Sequence, residues 1–354
     1  MKMTIKKKKD RFFLISVVLL IILFLSIIAG VAFGSTYIDM NTVYEFIINK
    51  ITGKEIFEPI WKKTVESIIW EIRVPRVLMS AVCGGGLALC GVLMQCITKN
   101  PVADSYILGI SSGASAGAVF MIIIGGASVN ILGVTGGAFL GAILCGIIVF
   151  TVGTQYGKNI STTRLILTGL AVSTIFSSIT NMMVYSAKNS NQVRSAVFWS
   201  MGSLGRAKWE DLYISFIVLV IVLLISMALA KSLDILILGD NTAKMMGMDV
   251  SMVKSIIILS STFLIAVLVS MTGAIGFIGL VVPHVCRGFC GSSHRKLLIV
   301  SLFTGAIFLI WCDIAARCFI SPREIPIGII TSIIGGPFFL FIIGKNSYSF
   351  GGEN

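Results

Sequence analysis

Read for polarity alone, the chain is a series of long apolar runs separated by short polar punctuation. After a basic opening, MKMTIKKKKDR, comes FFLISVVLLIILFLSIIAGVAFG, residues 12–34, without a single charge. Further runs cover approximately residues 74–97, 105–126, 131–152, 165–187, 212–230, 255–274, 275–290, 297–316 and 328–344. Most approach the roughly 20 residues that carry an α-helix across a hydrocarbon core. Backbone in lipid must satisfy its own polar groups, so only helices and closed barrels span a membrane. Barrel strands alternate in polarity over about ten residues, and these runs do not. The pattern therefore predicts an all-α polytopic membrane protein of about ten spans. Its single domain covers residues 12–344, between a basic tail (1–11) and a C-terminal tail (345–354). Residues 35–73 are polar and mixed in charge, and predict a long loop. The run 275–290 is short, and Gly273, Gly276 and Gly279 interrupt its start. That predicts a broken or partly re-entrant segment, which survives at membrane depth only when buried in protein.

Composition supports this picture. Charged residues make up 12% of the chain and the mean hydropathy is +0.97, whereas a soluble domain carries about a quarter charged residues. Thirty-six glycines, many inside the runs, suit close helix–helix approach in lipid. The net charge of +12 does not predict nucleic-acid binding, which needs a basic face on a soluble module. Here the cations sit in short loops, as juxtamembrane residues do. A signal peptide is the rival for the first run, but the apolar stretch is too long and AFGST is a poor cleavage site. The basic opening places the N-terminus in the cytoplasm. With ten spans the C-terminus follows it there. The eight cysteines mostly fall within apolar runs, where a thiol acts as a small hydrophobe.

Candidate chemistry is sparse. PHVCRGFCGSSH, residues 283–294, gathers both histidines and two cysteines, residue types that bind structural zinc. On a continuing helix Cys286, Cys290 and His294 would share a face. However, Gly291-Ser292-Ser293 is a stop signal, and no carboxylate or further His or Cys is expected nearby to complete a site. No P-loop, H-E-x-x-H or G-x-S-x-G motif occurs, so no catalytic residue is assigned. No carboxylate is expected deep in a span, as ion-coupled carriers often require. Asp313 lies near a helix end, four residues before Arg317, and predicts a local pair. What remains is a glycine-rich membrane scaffold that needs an external motor.

Three stretches are more specific. They are IRVPRVLMSAVCGGGLALCGVLMQCITKNPVADSYILGISSGASAG (72–117), LGDNTAKMMGMDV (238–250) and GAIGFIGLVVPHVCRGFCGSSHR (273–295), the last continuing through CDIAAR (312–317) to EIPIGIITSIIGGPFF (324–339). Together they resemble the membrane permeases of the iron-siderophore, haem and cobalamin branch of ABC importers, the type II importers. The resemblance covers nearly the whole chain after the first helix. In that family the GFIGLVVPH-like segment is a structural part of the eighth helix, which implies no metal there.

The resemblance implies a type II permease fold in a bacterial cell membrane. It implies a second permease subunit, identical or related, two ATP-binding subunits and an extracytoplasmic binding protein. ATP and Mg are then used by the ATPase partner, and this chain binds no cofactor. The implied cargo is a ferric siderophore, with cobalamin and haem as alternatives. A secondary carrier and a non-transporting scaffold or sensor are the readings from other classes. The family's coupling loop matches residues 231–254, with Gly239, Asp240, Ala243 and Gly247 as coupling positions. Asp240 can cap a short helix there and Gly247 can end it; many relatives have Glu at the Asp240 position. Arg73, Arg76 and Arg317 match arginines that dock the binding protein, and Arg suits bidentate capture of carboxylates. Lipid-headgroup snorkelling is the plainer reading of all three. The cytoplasmic gate matches Asn100, Val102, Thr162 and Thr163, where many relatives have Leu in place of Val102. Asn100 before Pro101 also reads as a turn, and Thr162–Thr163 as a helix N-cap. Ser173, Ser177 and Asn181, four apart on one helix face, are the expected wall of the pathway.

Overall fold

The computed structural model describes residues 2–125, 131–154 and 160–345. The tail from 346 onward lies outside the described residues. All regular structure described is helical. Among the described residues, seven helices are long and apolar enough to cross a membrane, and three shorter apolar helices bring the total near the ten expected.

Helix α4 (Val74–Thr98) is the axis of the fold. Nearly all its residues are buried, because α14 (His294–Cys318), α13 (Ile278–Cys290), α9 (Trp209–Ala228) and α12 (Val250–Thr272) pack around it. Glycine permits this approach. A Cβ on Gly84 would stand 2.2 Å from the Gly305 carbonyl oxygen of α14, and one on Gly91 would stand 2.0 Å from that of Gly279 in α13. Helices α5 (Ile110–Ile123) and α6 (Ile131–Thr154) use the same device at Gly113–Gly141 and Gly117–Gly137. Small residues let backbones meet where lipid supplies no hydrophobic drive between helices. Helices α1 (Lys2–Ala32), α7 (Thr162–Tyr185) and α15 (Ile327–Lys345) lie at the periphery and show wide apolar surface.

The region 35–73 is not the plain loop its polarity predicts. It holds α2 (Met40–Thr52) and α3 (Lys63–Ser67), the latter running through a π-helical turn, Ile68–Arg73, into α4. Asp39 caps α2 by accepting from Asn41 N–H, and Gly53 closes it in the left-handed conformation. Val43 and Phe46, three apart, then bury against Val31, Ile69 and Val77. Three further short helices fall between spans: α8 (Ser190–Ser200), α10 (Ala230–Leu236) and α11 (Asp240–Met245).

The interrupted segment is as the glycines predict. Helix α12 stops at Gly273 (φ +71°), the chain runs irregularly to Phe277, and α13 restarts at Ile278. Gly273 and Ile275 are buried and the rest of the stretch is half-buried, with Tyr106 Oη accepting from Ile275 N–H at 3.1 Å. This internal partner replaces the water that lipid cannot supply.

Candidate functional site

The arginines and the coupling and gate candidates separate to the two ends of α4, about 37 Å apart at 1.5 Å per residue.

At the N-terminal end of α4, Arg73, Arg76 and Arg317 line one cleft of about 280 Å³ with Glu324 and the turn Gly34–Thr36. All three arginines are buried, so none is a headgroup-seeking surface residue. Arg73 donates to the carbonyls of Val31 (2.9 Å), Ala32 (2.7 Å) and Thr36. Arg317 donates to Phe33 (2.9 Å) and Gly30 (3.0 Å). Both thus serve the last turn of α1, whose final carbonyls have no partner within the helix and carry the negative end of its dipole. Arg76 instead donates from Nε to Asp313 (2.9 Å) and from Nη1 to both oxygens of Glu324 (2.9 and 3.0 Å). The expected local pair exists, with Arg317 Nη2 3.0 Å from Asp313 Oδ2. That approach is an ion contact without hydrogen-bond alignment, since Oδ2 has no hydrogen-bond partner. The pair belongs to a larger network joining α4 to α14, and Asp313 is fully buried rather than a surface acid.

At the opposite end, α11 carries the coupling candidates. Gly239 precedes it at φ +119°, and Gly247 lies beyond its end at φ +82°. Both are conformations that β-carbon residues avoid. Ala243 is buried beneath the helix. Asp240 does not cap α11, contrary to the sequence expectation. It is already the first helical residue, and its side chain makes no capping bond. Its two oxygens accept instead from Lys99 Nζ (2.8 Å) and Lys254 Nζ (2.6 Å). Burial pushes the Asp240 carboxyl up, but the hydrogen bonds and charges of Lys254 and Lys99 outweigh it and hold it below the usual carboxylate range. The bridge is therefore intact at neutral pH and is lost only on acidification through that lowered range. Around α11, Leu238, Met245 and Met246 are 64%, 81% and 61% exposed, an apolar patch that sequence reading missed.

The four gate candidates gather beside this bridge. Lys99 closes α4 in the left-handed conformation (φ 50°). Asn100 then forms the turn its Asn-Pro pair suggests, with Oδ1 accepting from Val102 N–H at 3.0 Å. Ser161, not Thr162, is the N-cap of α7. Thr162 Oγ1 donates across to Ile97 O in α4 (3.1 Å), and Thr163 is exposed. The pathway-wall trio divides. Ser177 and Asn181 are exposed, whereas Ser173 turns toward the backbone of Gly109, where a Cβ would stand 2.6 Å from its Oγ.

The histidines and cysteines do not converge. Among the described residues no group of three His, Cys, Asp or Glu side chains could hold a metal. One expectation needs correction, because a carboxylate does lie near. Helix α10 brings Asp234 to His294, accepting from its N–H (2.8 Å) and lying 2.7 Å from its Nδ1. Sixty residues separate the two, which is why the sequence did not pair them. Gln95, also missed, donates to the carbonyls of Ala103 and Gly279 and accepts from Arg287.

The profile of the FecCD transport family matches residues 19–345. The cobalamin import system permease BtuC of Halobacterium salinarum is 37% identical over 281 residues, covering 79% of this chain and 74% of its own. The hemin transport system permease HmuU of Yersinia pestis is 36% identical over 294 residues, covering 81% and 87%. A solved ABC transporter of metal-chelate type, in an inward-facing conformation, superposes with a TM-score of 0.81 at 28% identity, over 94% of this chain and 99% of its own.

Proposed function

The chain belongs to the FecCD transport family, and from that premise we propose that it moves a ferric siderophore inward through the membrane. It is a multi-pass permease subunit of an ABC importer, and ATP hydrolysis belongs to a separate subunit. The observation that carries the reading is the two-ended layout. An arginine-lined cleft stands at one end of α4, and a short helix between two positive-φ glycines stands at the other. In our reading the cleft faces outward and receives an acidic binding protein, while α11 faces the cytoplasm and meets the ATPase. Asn100, Val102, Thr162 and Thr163 then form the inner gate. The exposed polar residues Ser177 and Asn181 of α7 face a second permease subunit across the pathway. Such a wall is polar enough to be wetted and too weakly so to hold a bulky chelate.

The relatives named for cobalamin and hemin favour those chelates as the second reading of the cargo. Uptake of labelled ferric siderophore, cobalamin and hemin, compared in cells with and without this gene, separates the three. Loss of the iron-siderophore signal alone is expected. Loss of only the cobalamin or hemin signal would replace the siderophore and keep the mechanism. Uptake that survives ATP depletion but stops with an uncoupler would return the chain to the secondary-carrier class.

The docking reading has its own test at Glu324, whose side chain is 38% exposed on the cleft rim. Rim charges set association rates more than they set stability. Glu324→Gln removes the cleft's acid, so the binding protein should associate severalfold faster at low ionic strength, with the gain vanishing at high salt. An unchanged or slower stopped-flow rate would remove the cleft from the docking surface.

A further inference from the structure

Among the described residues, Lys254 is the largest side chain to be completely buried. It lies one turn into α12, a helix otherwise apolar apart from its hydroxyl residues. An unpaired ammonium there would be strongly disfavoured, and its partners explain its survival. Nζ donates to Asp240 Oδ2 of α11 at 2.6 Å and to Ile160 O at 3.2 Å. Ile160 directly precedes Ser161, the cap of α7, and so leads into Thr162 and Thr163. The other oxygen of Asp240 accepts from Lys99, which leads into Asn100 and Val102. One ammonium thus connects α11 to the start of α7, while Asp240, itself in α11, reaches the end of α4 through Lys99.

A staple that only held α11 in place would need no charge. Replacing buried ionic groups by well-packed apolar ones is often neutral or stabilising. A salt bridge with directed hydrogen bonds differs from apolar packing in having few discrete arrangements, which is what a mechanical linkage requires. We propose that Lys254 is the positioning residue through which displacement of α11 reaches the gate segment at the start of α7. This rests on the reading of α11 as the motor contact.

The test uses the full transporter, permease with its ATPase and binding protein, in proteoliposomes, with cargo uptake and ATP hydrolysis measured together. Lys254→Met keeps the length and removes the charge, and Asp240 retains Lys99. Cargo moved per ATP should fall about tenfold, in the usual range of coupling between sites. Assembly, basal hydrolysis and thermal midpoint should stay near wild type. Asp240→Asn should show at least the same fall, with a lower thermal midpoint because it strands the Lys254 ammonium, and the double variant should recover the midpoint without recovering the ratio. A wild-type ratio in Lys254→Met would overturn the proposal. So would a parallel loss of uptake, hydrolysis and thermal midpoint, the signature of a structural role. Met245→Glu separates this from failure of the underlying reading. It should abolish ATPase binding, and unchanged binding would refute α11 as the motor contact and the linkage with it.

Discussion

Asp313→Ala is expected to cost about 3–5 kcal/mol of stability, the effect of breaking a buried ion pair from one side. The variant leaves Arg76 and Arg317 facing each other with only the rim carboxylate of Glu324 between their charges and solvent. Arg317 keeps its carbonyl partners on α1, so the loss centres on Arg76. By contrast, breaking the Lys99 arm of the Asp240 bridge should cost at most about 1 kcal/mol, because both side chains are a third exposed. Thermal unfolding in nanodiscs can rank the two. The double variant Arg76→Met/Asp313→Leu should recover most of the loss, since an apolar pair of similar volume removes both charges together. Asp313→Ala at the wild-type midpoint would mean that water reaches the network and screens it.

This network shows where the sequence stopped being legible. The spans were readable because a lipid-exposed or core-facing helix must be apolar along its length, and that constraint is local. The break before α13 was readable from Gly273 and Gly276 for the same reason. The Arg76–Asp313 pair spans 237 residues, and no local pattern encodes it. The i,i+4 rule found Asp313 with Arg317 and missed the stronger partner. The run predicted from residue 255 leaves Lys254 at the end of the coupling loop, because burial of a lysine depends on an acid fourteen positions away on a different helix. Asp240 was read as a cap because Asp in front of a short helix usually is one. The two lysines that claim it come from α4 and α12. Motif resemblance singled out the gate and coupling candidates. Only the fold shows that they share one bridge.

Glycine tells the opposite story, and gives the second large effect. Gly91→Ala should destabilise the protein by about 3 kcal/mol, the upper end of ordinary overpacking, although it adds a single methyl group. The added carbon would meet Gly279 O at 2.0 Å and its Cα at 2.5 Å. These are backbone atoms in the first turn of α13, so no rotamer change relieves the contact. Either α4 and α13 separate or the turn shifts. A shift would also pull Gly279 O from Gln95 Nε2, which stands 3.2 Å away and ties α4 to this turn. Gly136→Ala is the matched control on α6, where a Cβ meets nothing within 4 Å. That change should be neutral or stabilising by about 0.5–1 kcal/mol through helix propensity. The pair of thermal midpoints separates backbone contact from propensity. If Gly91→Ala melted with Gly136→Ala, the α4–α13 seam would be compliant, and the axis of the fold would lie elsewhere.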